Sequence, residues 1–75
     1  MHGSRLQECL KIIRWSDDTL AETLGCDVEW VQAWTLGFED IPPKVAAWVE
    51  TLAKTHEVME AEKPKSMRGK VFKGL

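Results

Sequence analysis

The chain has 75 residues, of which 44% are hydrophobic and 29% are charged, and its formal net charge is −2. These values fit one small soluble domain, and they exclude a disordered chain and a second folded domain. Because no apolar run approaches the ~18 residues of a membrane span and the N-terminus lacks the apolar stretch of a signal peptide, we expect a cytoplasmic protein without a membrane partner.

Charge is distributed unevenly along the chain. Residues 1–62 contain all twelve acidic residues and five of the ten basic ones, a net charge of −7. Residues 63–75 contain the other five basic residues and no acid, a net charge of +5. We therefore divide the chain into a folded domain, residues 1–62, and a flexible basic C-terminal tail, residues 63–75. An acidic body is unusual for a nucleic-acid binder, whose body normally carries the positive face.

The first predicted helix runs from residue 4 to about residue 14. Ser4 and Gln7 have the S-x-x-Q spacing of a capping box, in which each side chain bonds a free backbone N–H at the helix start. The residues that recur on one face of this helix are Leu6, Leu10 and Ile13. This pattern predicts an amphipathic helix that begins at Ser4.

Residues 16–37 predict two short helices joined by a tight turn. Ser16 is a suitable N-cap for the first helix, and Gly25 follows its last apolar position, where a left-handed residue commonly ends a helix. Asp27 is positioned to cap the second helix, and Gly37 to end it. A helix, a Gly-containing turn of about four residues and a second helix form the helix-turn-helix pattern.

A further helix is predicted to begin at Pro42 and Pro43, since proline is tolerated in the first helical turn, and to stop before Pro64. In the loop that precedes it, we expect Phe38 and Ile41 to enter the core. The apolar stripe of this helix comprises Val45, Val49, Leu52 and Ala53. The whole chain is therefore predicted to be a small all-α domain of four to five helices.

Several residues within positions 10–55 have the identities and spacing of a known family. They are Trp15, Ser16, Leu20, Ala21, Leu24, Gly25, Val31, Trp34 and Gly37, followed by the segment IPPKVAAWVETLAKTHE. On these residues the chain resembles the Cro/phage-repressor (XRE-type) helix-turn-helix family of DNA-binding regulators. The resemblance implies a phage-repressor-like fold, double-stranded DNA as partner, a homodimer, and a role as a transcriptional regulator or repressor of phage or mobile-element type.

In that family the second helix of the pair, here about residues 28–36, lies in the major groove. By position, the resemblance implies that the groove-facing residues are Val28, Glu29, Gln32 and Ala33, with Trp30 beside them. Thr35 on the same helix completes the expected base-reading side. Because cations bind phosphates, the expected DNA-binding residues also include Lys44, Lys65, Arg68, Lys70 and Lys73. The family commonly has Gln at position 17, where this chain has Asp17, and an acid near a phosphate opposes binding.

The chemistry of the implied reading helix is limited. Gln32 can pair with adenine, and Glu29 can accept a hydrogen bond from the cytosine amino group. Val28 and Ala33 can contact only thymine methyl groups. Such a helix needs help from the tail, from dimerisation or from cations at its rim. The rim cations are Lys11, Arg14 and Lys44.

An alternative reading gives the same fold a protein partner. An acidic face around Asp17, Asp18, Glu22 and Glu29, with Trp30 at its centre, would dock onto a basic surface of another transcription regulator. The chain would then act as an antiactivator or adaptor rather than as a DNA reader. Which of the two partners the acidic helix binds is left open by the residues alone.

The tryptophans are assigned separately. Trp34 is expected in the core, and Trp15 over the joint between the first two helices. Trp48 is expected either at the core edge or at a dimer contact, and Trp30 either fills a core gap or contacts a partner protein or DNA. The end of the last helix, with Val58 and Met59, is a candidate dimer surface.

Sites for catalysis and metals are not expected. Cys9 and Cys26 lack CxxC spacing and are expected to be reduced thiols, and His2 and His56 are not spaced with them for zinc. The sequence also lacks a Gly-rich phosphate loop and a recognisable nucleophile–base arrangement. We therefore expect no enzyme activity, no cofactor and no metal.

Overall fold

The fold is all-helical in a computed structural model that describes residues 1–64, 66–67 and 69–74. The four helices are α1 (Gly3–Ile13), α2 (Asp17–Leu24), α3 (Val28–Leu36) and α4 (Pro43–Ala61). The described part of the chain contains no strand. The prediction of a small all-α domain is thus confirmed, with four helices rather than five.

One hydrophobic core holds the helices together. Helix α1 packs against both α3 and α4, and α2 packs against α3. The buried residues come from all four helices and from the loop before α4. They are Leu6, Cys9, Leu10, Ile13, Leu20, Ala21, Val31, Trp34, Ile41, Val49 and Ala53. The apolar stripes predicted for α1 and for the centre of α4 therefore face this core.

The segment from α2 to α3 follows its local signals closely. The Ser16 hydroxyl accepts a hydrogen bond from the backbone N–H of Thr19 at 3.1 Å, as predicted for an N-cap. Gly25 ends α2 with a φ of +75°, and Gly37 ends α3 with a φ of +82°, so both occupy the left-handed region that favours glycine. Asp27 occupies the N-cap position of α3 as predicted, but its side chain makes no capping bond.

The predicted capping box of α1 is wrong. His2 occupies the N-cap position without a side-chain bond, and α1 begins at Gly3. The Gln7 amide donates instead to the backbone carbonyl of Thr35 at 3.2 Å, which ties α1 to the end of α3. A long-range contact has therefore taken the side chain that the local pattern assigned to the cap. At its other end α1 closes on Arg14, which has a left-handed φ of +61°.

Two contacts fix the position of α1. The Arg5 guanidinium binds the Glu50 carboxylate of α4 through two hydrogen bonds, and a third joins it to Glu8. Gly3 lies so close to the end of α3 that an added Cβ would be 2.6 Å from the carbonyl oxygens of Trp34 and Thr35. Helix α1 thus holds α3 at one end and α4 near its middle.

The remaining large apolar side chains differ in how far they are buried. Trp15 and Trp48 pack edge to face at the core margin, with ring centroids 5.9 Å apart, which is the core-edge alternative for Trp48. Ile41 is buried as predicted, whereas Phe38 is 78% exposed, so its predicted core position is wrong. Phe38 follows the left-handed Gly37, and the chain there turns outward. Val58 and Met59 are exposed near the end of α4.

Candidate nucleic-acid interface

Helix α3 presents one face to the core and the opposite face to solvent. Val31 and Trp34 are buried, and the 100° step between successive helical residues places Glu29 and Leu36 opposite them. Glu29 is exposed and Leu36 is 65% exposed. The outer face of α3 is therefore open along its full length.

The implied base-reading residues share this outer face only in part. Glu29 and Gln32 are exposed, and Ala33 is half-buried beside them. Val28 is half-buried at the edge, where its side chain packs against the core. Leu36 lies on the same face but was not predicted as a site residue, because the groove-facing positions taken from the family resemblance end at Ala33. Its position two helical turns after Glu29 is the signal that identifies it.

Trp30 and Thr35 lie on opposite flanks of α3. The Thr35 hydroxyl donates to the Gln32 carbonyl at 3.0 Å, and the Thr35 carbonyl accepts from Gln7. Thr35 is thus half-buried against α1, with its polar groups bonded within the protein. Trp30 is 51% exposed and faces the side of α3 nearer the start of α4. Neither residue stands at the centre of the outer face.

An open groove of about 410 Å³ runs beside Trp30, and we call it the Trp30 groove. It is lined mainly by apolar side chains from α2, α3 and the start of α4. They are Leu24, Trp30, Trp34, Pro42 and Val45. Asp40 adds a carboxylate, and Cys26 a half-buried thiol. On the other side of Trp30, a second hollow contains three more carboxylates. They belong to Asp27, Glu29 and Glu39.

The opposite flank of α3 carries the cations. A shallow hollow of about 380 Å³ lies between the end of α1, the start of α2 and Thr35. Lys11 and Arg14 line it from α1, and Asp17 from α2. Two of the three expected rim cations, Lys11 and Arg14, therefore lie on one side of α3, together with the acid that opposes a phosphate.

All the charged side chains of the α2–α3 unit are acidic. Residues 15–43 contain seven carboxylates and no Lys, Arg or His. The acids are Asp17, Asp18, Glu22, Asp27, Glu29, Glu39 and Asp40. Lys44, the next residue but one after Pro42, is exposed in the first turn of α4. Any anionic partner of α3 must therefore be attracted by charges outside this stretch.

The tail residues are only partly described. Lys70 and Lys73 are exposed, and within the described ranges no side-chain hydrogen bond or ion pair joins them to α3. Lys65 and Arg68 lie outside the described residues. The structure thus brings together Glu29, Gln32 and Ala33, and of the described tail cations it joins neither Lys70 nor Lys73 to them.

Among the described residues, no group of three or more His, Cys, Asp or Glu side chains is arranged to hold a metal ion. In the same part of the chain, no helix combines the length and the apolar character needed to cross a membrane. In comparisons with known proteins, the chain matches no family model, no curated protein and no solved structure.

Proposed function

We propose that the protein is a sequence-specific DNA-binding transcriptional regulator of phage or mobile-element type that acts in the cytoplasm as a homodimer. The observation that carries this proposal is the outer face of α3, which is open to solvent along the whole helix. Helix α2 packs behind α3, and the short turn at Gly25 joins them. This arrangement suits a helix that enters the major groove while its neighbour braces it.

The base contacts that we assign follow from exposure. Gln32 is exposed on this face and pairs with adenine, and the exposed Glu29 accepts from a cytosine amino group. Ala33 and the exposed Leu36 contact thymine methyl groups. In a dimer, two such helices would lie about 34 Å apart and read two half-sites.

The phosphate contacts that we assign come from outside the α2–α3 unit. Lys11 and Arg14 flank α3 on one side, and Lys44 lies beyond the Trp30 groove on the other. Residues 63–75 add five cations, which would bind phosphates and release counterions. The seven carboxylates of residues 15–43 oppose this attraction, so we expect strong dependence of DNA binding on the tail and on salt.

A second candidate function is supported by the same acidic stretch. In this reading the protein is an antiactivator or adaptor, and the face around Trp30 binds a basic surface of another regulator. The support is the combination of a half-exposed tryptophan, an apolar groove and carboxylates on both sides of it. Aromatic anchors surrounded by complementary charge are typical of protein interfaces.

The first test is DNA binding to the region upstream of the protein's own gene, measured over a salt series. We compare the full chain with a protein that ends at Glu62, which retains every buried residue. We expect specific binding that weakens steeply with salt, and a slope of log K against log salt that falls by up to about four to five in the truncated protein. Equally weak binding to DNA of every sequence would contradict the proposal that the protein is a sequence-specific regulator.

Two substitutions locate the reading face. Gln32→Ala and Trp30→Ala should each abolish a footprint while the protein stays folded, because Gln32 is exposed and Trp30 is half-exposed outside the buried core. Thr55→Ala, at an exposed position of α4, is the matched control and should bind as the parent does. If Gln32→Ala binds normally while Trp30→Ala loses a partner protein in a pull-down, the adaptor reading replaces the first proposal.

A further inference from the structure

The Trp30 groove has the character of a docking site for one apolar side chain flanked by cations. Its walls are apolar, and half of the Trp30 surface is exposed at its edge. Asp40 lies within it, and Glu29 and Glu39 lie just across Trp30. An occupant that buries apolar surface here must also approach these carboxylates, so a cationic occupant is favoured.

The C-terminal segment of the chain has that complementary chemistry. Residues 70–73 read Lys-Val-Phe-Lys, and the whole stretch 63–75 contains no acid. Phe72 is 81% exposed and Val71 is 78% exposed, so both lack apolar cover. Lys70 and Lys73 lie on either side of them in the sequence. A large exposed phenyl ring between two lysines matches an apolar groove between carboxylates.

We propose that residues 69–74 of one copy dock in the Trp30 groove of a second copy of this chain. Phe72 enters the groove, Lys73 approaches Asp40, and Lys70 approaches Glu39. The contact is reciprocal in a twofold dimer, because each copy contributes one tail and one groove. The proposal does not rest on DNA binding, and its test contains no DNA.

A second copy, rather than the same chain, is the occupant because the single chain leaves both parts of the contact uncovered. The groove includes Val45 near the start of α4, whereas the tail leaves α4 after Ala61. At 1.5 Å per residue, these points are about 24 Å apart along the helix, so the tail of the same chain would have to fold back along α4. In the single chain, Phe72 is exposed to solvent and the groove is open. A neighbouring molecule can present its tail to the groove without reversing the chain.

The strength of the contact should depend on salt. The lysines and carboxylates involved are exposed, and charges of this kind are largely screened at high ionic strength. A segment of six residues is also smaller than the surface of most stable dimers. We therefore expect a reversible dimer that forms at low salt and dissociates at about 1 M salt.

The test is sedimentation velocity of the full chain over a concentration series at about 0.05 M and about 1 M salt. We expect a dimer at low salt and a monomer at high salt. Phe72→Ala and Trp30→Ala should each be monomeric at low salt, with unchanged far-UV circular dichroism. Met67→Ala removes another exposed apolar side chain of the tail and should remain dimeric, which makes it the matched control.

Mixing the two monomeric variants provides a sharper test. The Trp30→Ala chain retains its tail and the Phe72→Ala chain retains its groove, so a mixture should form a heterodimer through one of the two contacts. A charge exchange gives the same information. Lys73→Glu should abolish the dimer, and mixing it with Asp40→Lys should restore association.

Three results would overturn the proposal. A chain that stays monomeric at every concentration at low salt has no such contact. A dimer that survives both Phe72→Ala and Trp30→Ala uses another surface, such as the end of α4. If Phe72→Ala changes the Trp30 indole signal by the same amount at every protein concentration, the tail docks in the groove of its own chain. The first result would also contradict the homodimer of the proposed function, whereas DNA binding itself is tested separately by the salt series.

Discussion

Arg5 and Glu50 join the first and last helices through a bidentate pair. The Arg5 Nε and Nη2 atoms lie 2.7 Å and 2.8 Å from the two Glu50 carboxylate oxygens. Both side chains are about one-third exposed, and the guanidinium also binds Glu8. The planar fork of an arginine matches a carboxylate in this geometry, so the pair fixes the direction as well as the distance of α1 relative to α4.

The pair should make stability depend on pH. The hydrogen bonds from Arg5 hold the pKa of the Glu50 carboxyl below its ordinary value of 4.5. A lowered folded-state pKa gives stability that is present above about pH 4.5 and is lost as the pH falls through the folded value. Glu50→Gln should therefore melt at a lower temperature than the parent near neutral pH, and the two curves should converge in acid. Thermal melts from about pH 7 to about pH 3 measure this.

Glu57→Gln is the control for that experiment, because Glu57 is exposed on the same helix and makes no ion pair among the described residues. Its melting curve should run parallel to that of the parent. A Glu50→Gln curve that is also parallel to the parent at every pH would mean that the Arg5 pair contributes nothing to the pH dependence.

Gly3 should not tolerate a side chain. A Cβ at this position would lie 2.6 Å from two backbone carbonyl oxygens of α3, and backbone cannot give way as a flexible side chain can. We expect Gly3→Ala to lower the free energy of unfolding by about 1–3 kcal/mol, despite the better helix propensity of alanine. Urea unfolding measures the loss. Ser4→Ala, one residue along, should be neutral, because Ser4 makes no capping bond. A stable Gly3→Ala protein would show that α1 can move away from α3.

Arg14 should be more stable as glycine. Its φ of +61° is unfavourable for a side chain with a Cβ, and glycine adopts it without steric cost. We expect Arg14→Gly to raise the free energy of unfolding by about 0.5–1 kcal/mol, after the extra unfolded-state freedom of glycine is subtracted. Arg14→Ala keeps the strain and should not be stabilised. Both variants lose the same cation beside α3, so under the proposed function both should bind DNA more weakly by a similar factor.

The two thiols should differ in reactivity. Cys9 is fully buried, and its burial raises the pKa of its thiol, whereas Cys26 is half-buried in the Trp30 groove. An aromatic disulfide reagent should therefore modify Cys26 in the native protein and Cys9 only on unfolding. Cys26→Ser should therefore lack the fast phase of the modification reaction. Two equally fast phases in the parent would show that α1 opens readily. A bulky adduct on Cys26 should also block the proposed self-association.

The ends of α2, α3 and α4 were predictable because their signals are local. The Ser16 cap, the left-handed Gly25 and Gly37, and Pro43 in the first turn of α4 each act within a few residues. Such signals do not depend on how the helices later pack. The apolar stripe of α1 was readable for a related reason, since its period is that of the helix itself.

The incorrect predictions concern residues whose bonding partner or exposure is determined by contacts with distant residues or by the path of a loop. Gln7 matches a capping box, yet its amide bonds the carbonyl of Thr35, which is 28 residues away. Phe38 is apolar but follows a left-handed glycine in a loop with no period to orient it, and it points to solvent. Arg14 takes a conformation usual for glycine, which its identity does not signal.

The candidate site divides in the same way. Glu29 and Gln32 were placed on the outer face by helical spacing, which needs no tertiary information. The Trp30 groove required the packed structure, because its lining residues come from separate helices. Lys11 and Arg14 were expected at the rim of α3, but the flank on which they lie is known only from the packing of α1.

Helix α4 extends beyond the hydrophobic core that supports its first half. Ala53 is its last buried residue, and the helix continues to Ala61 with only short-range pairs, such as His56 with Glu60 at 3.6 Å, along its surface. The final two turns are thus a helix held mainly by their own hydrogen bonds, and short helices of that kind fray in water. Amide hydrogen exchange should accelerate steadily from Ala53 towards Ala61. Any molecule that covers Val58 and Met59 would slow it, so this end of the helix reports on contact.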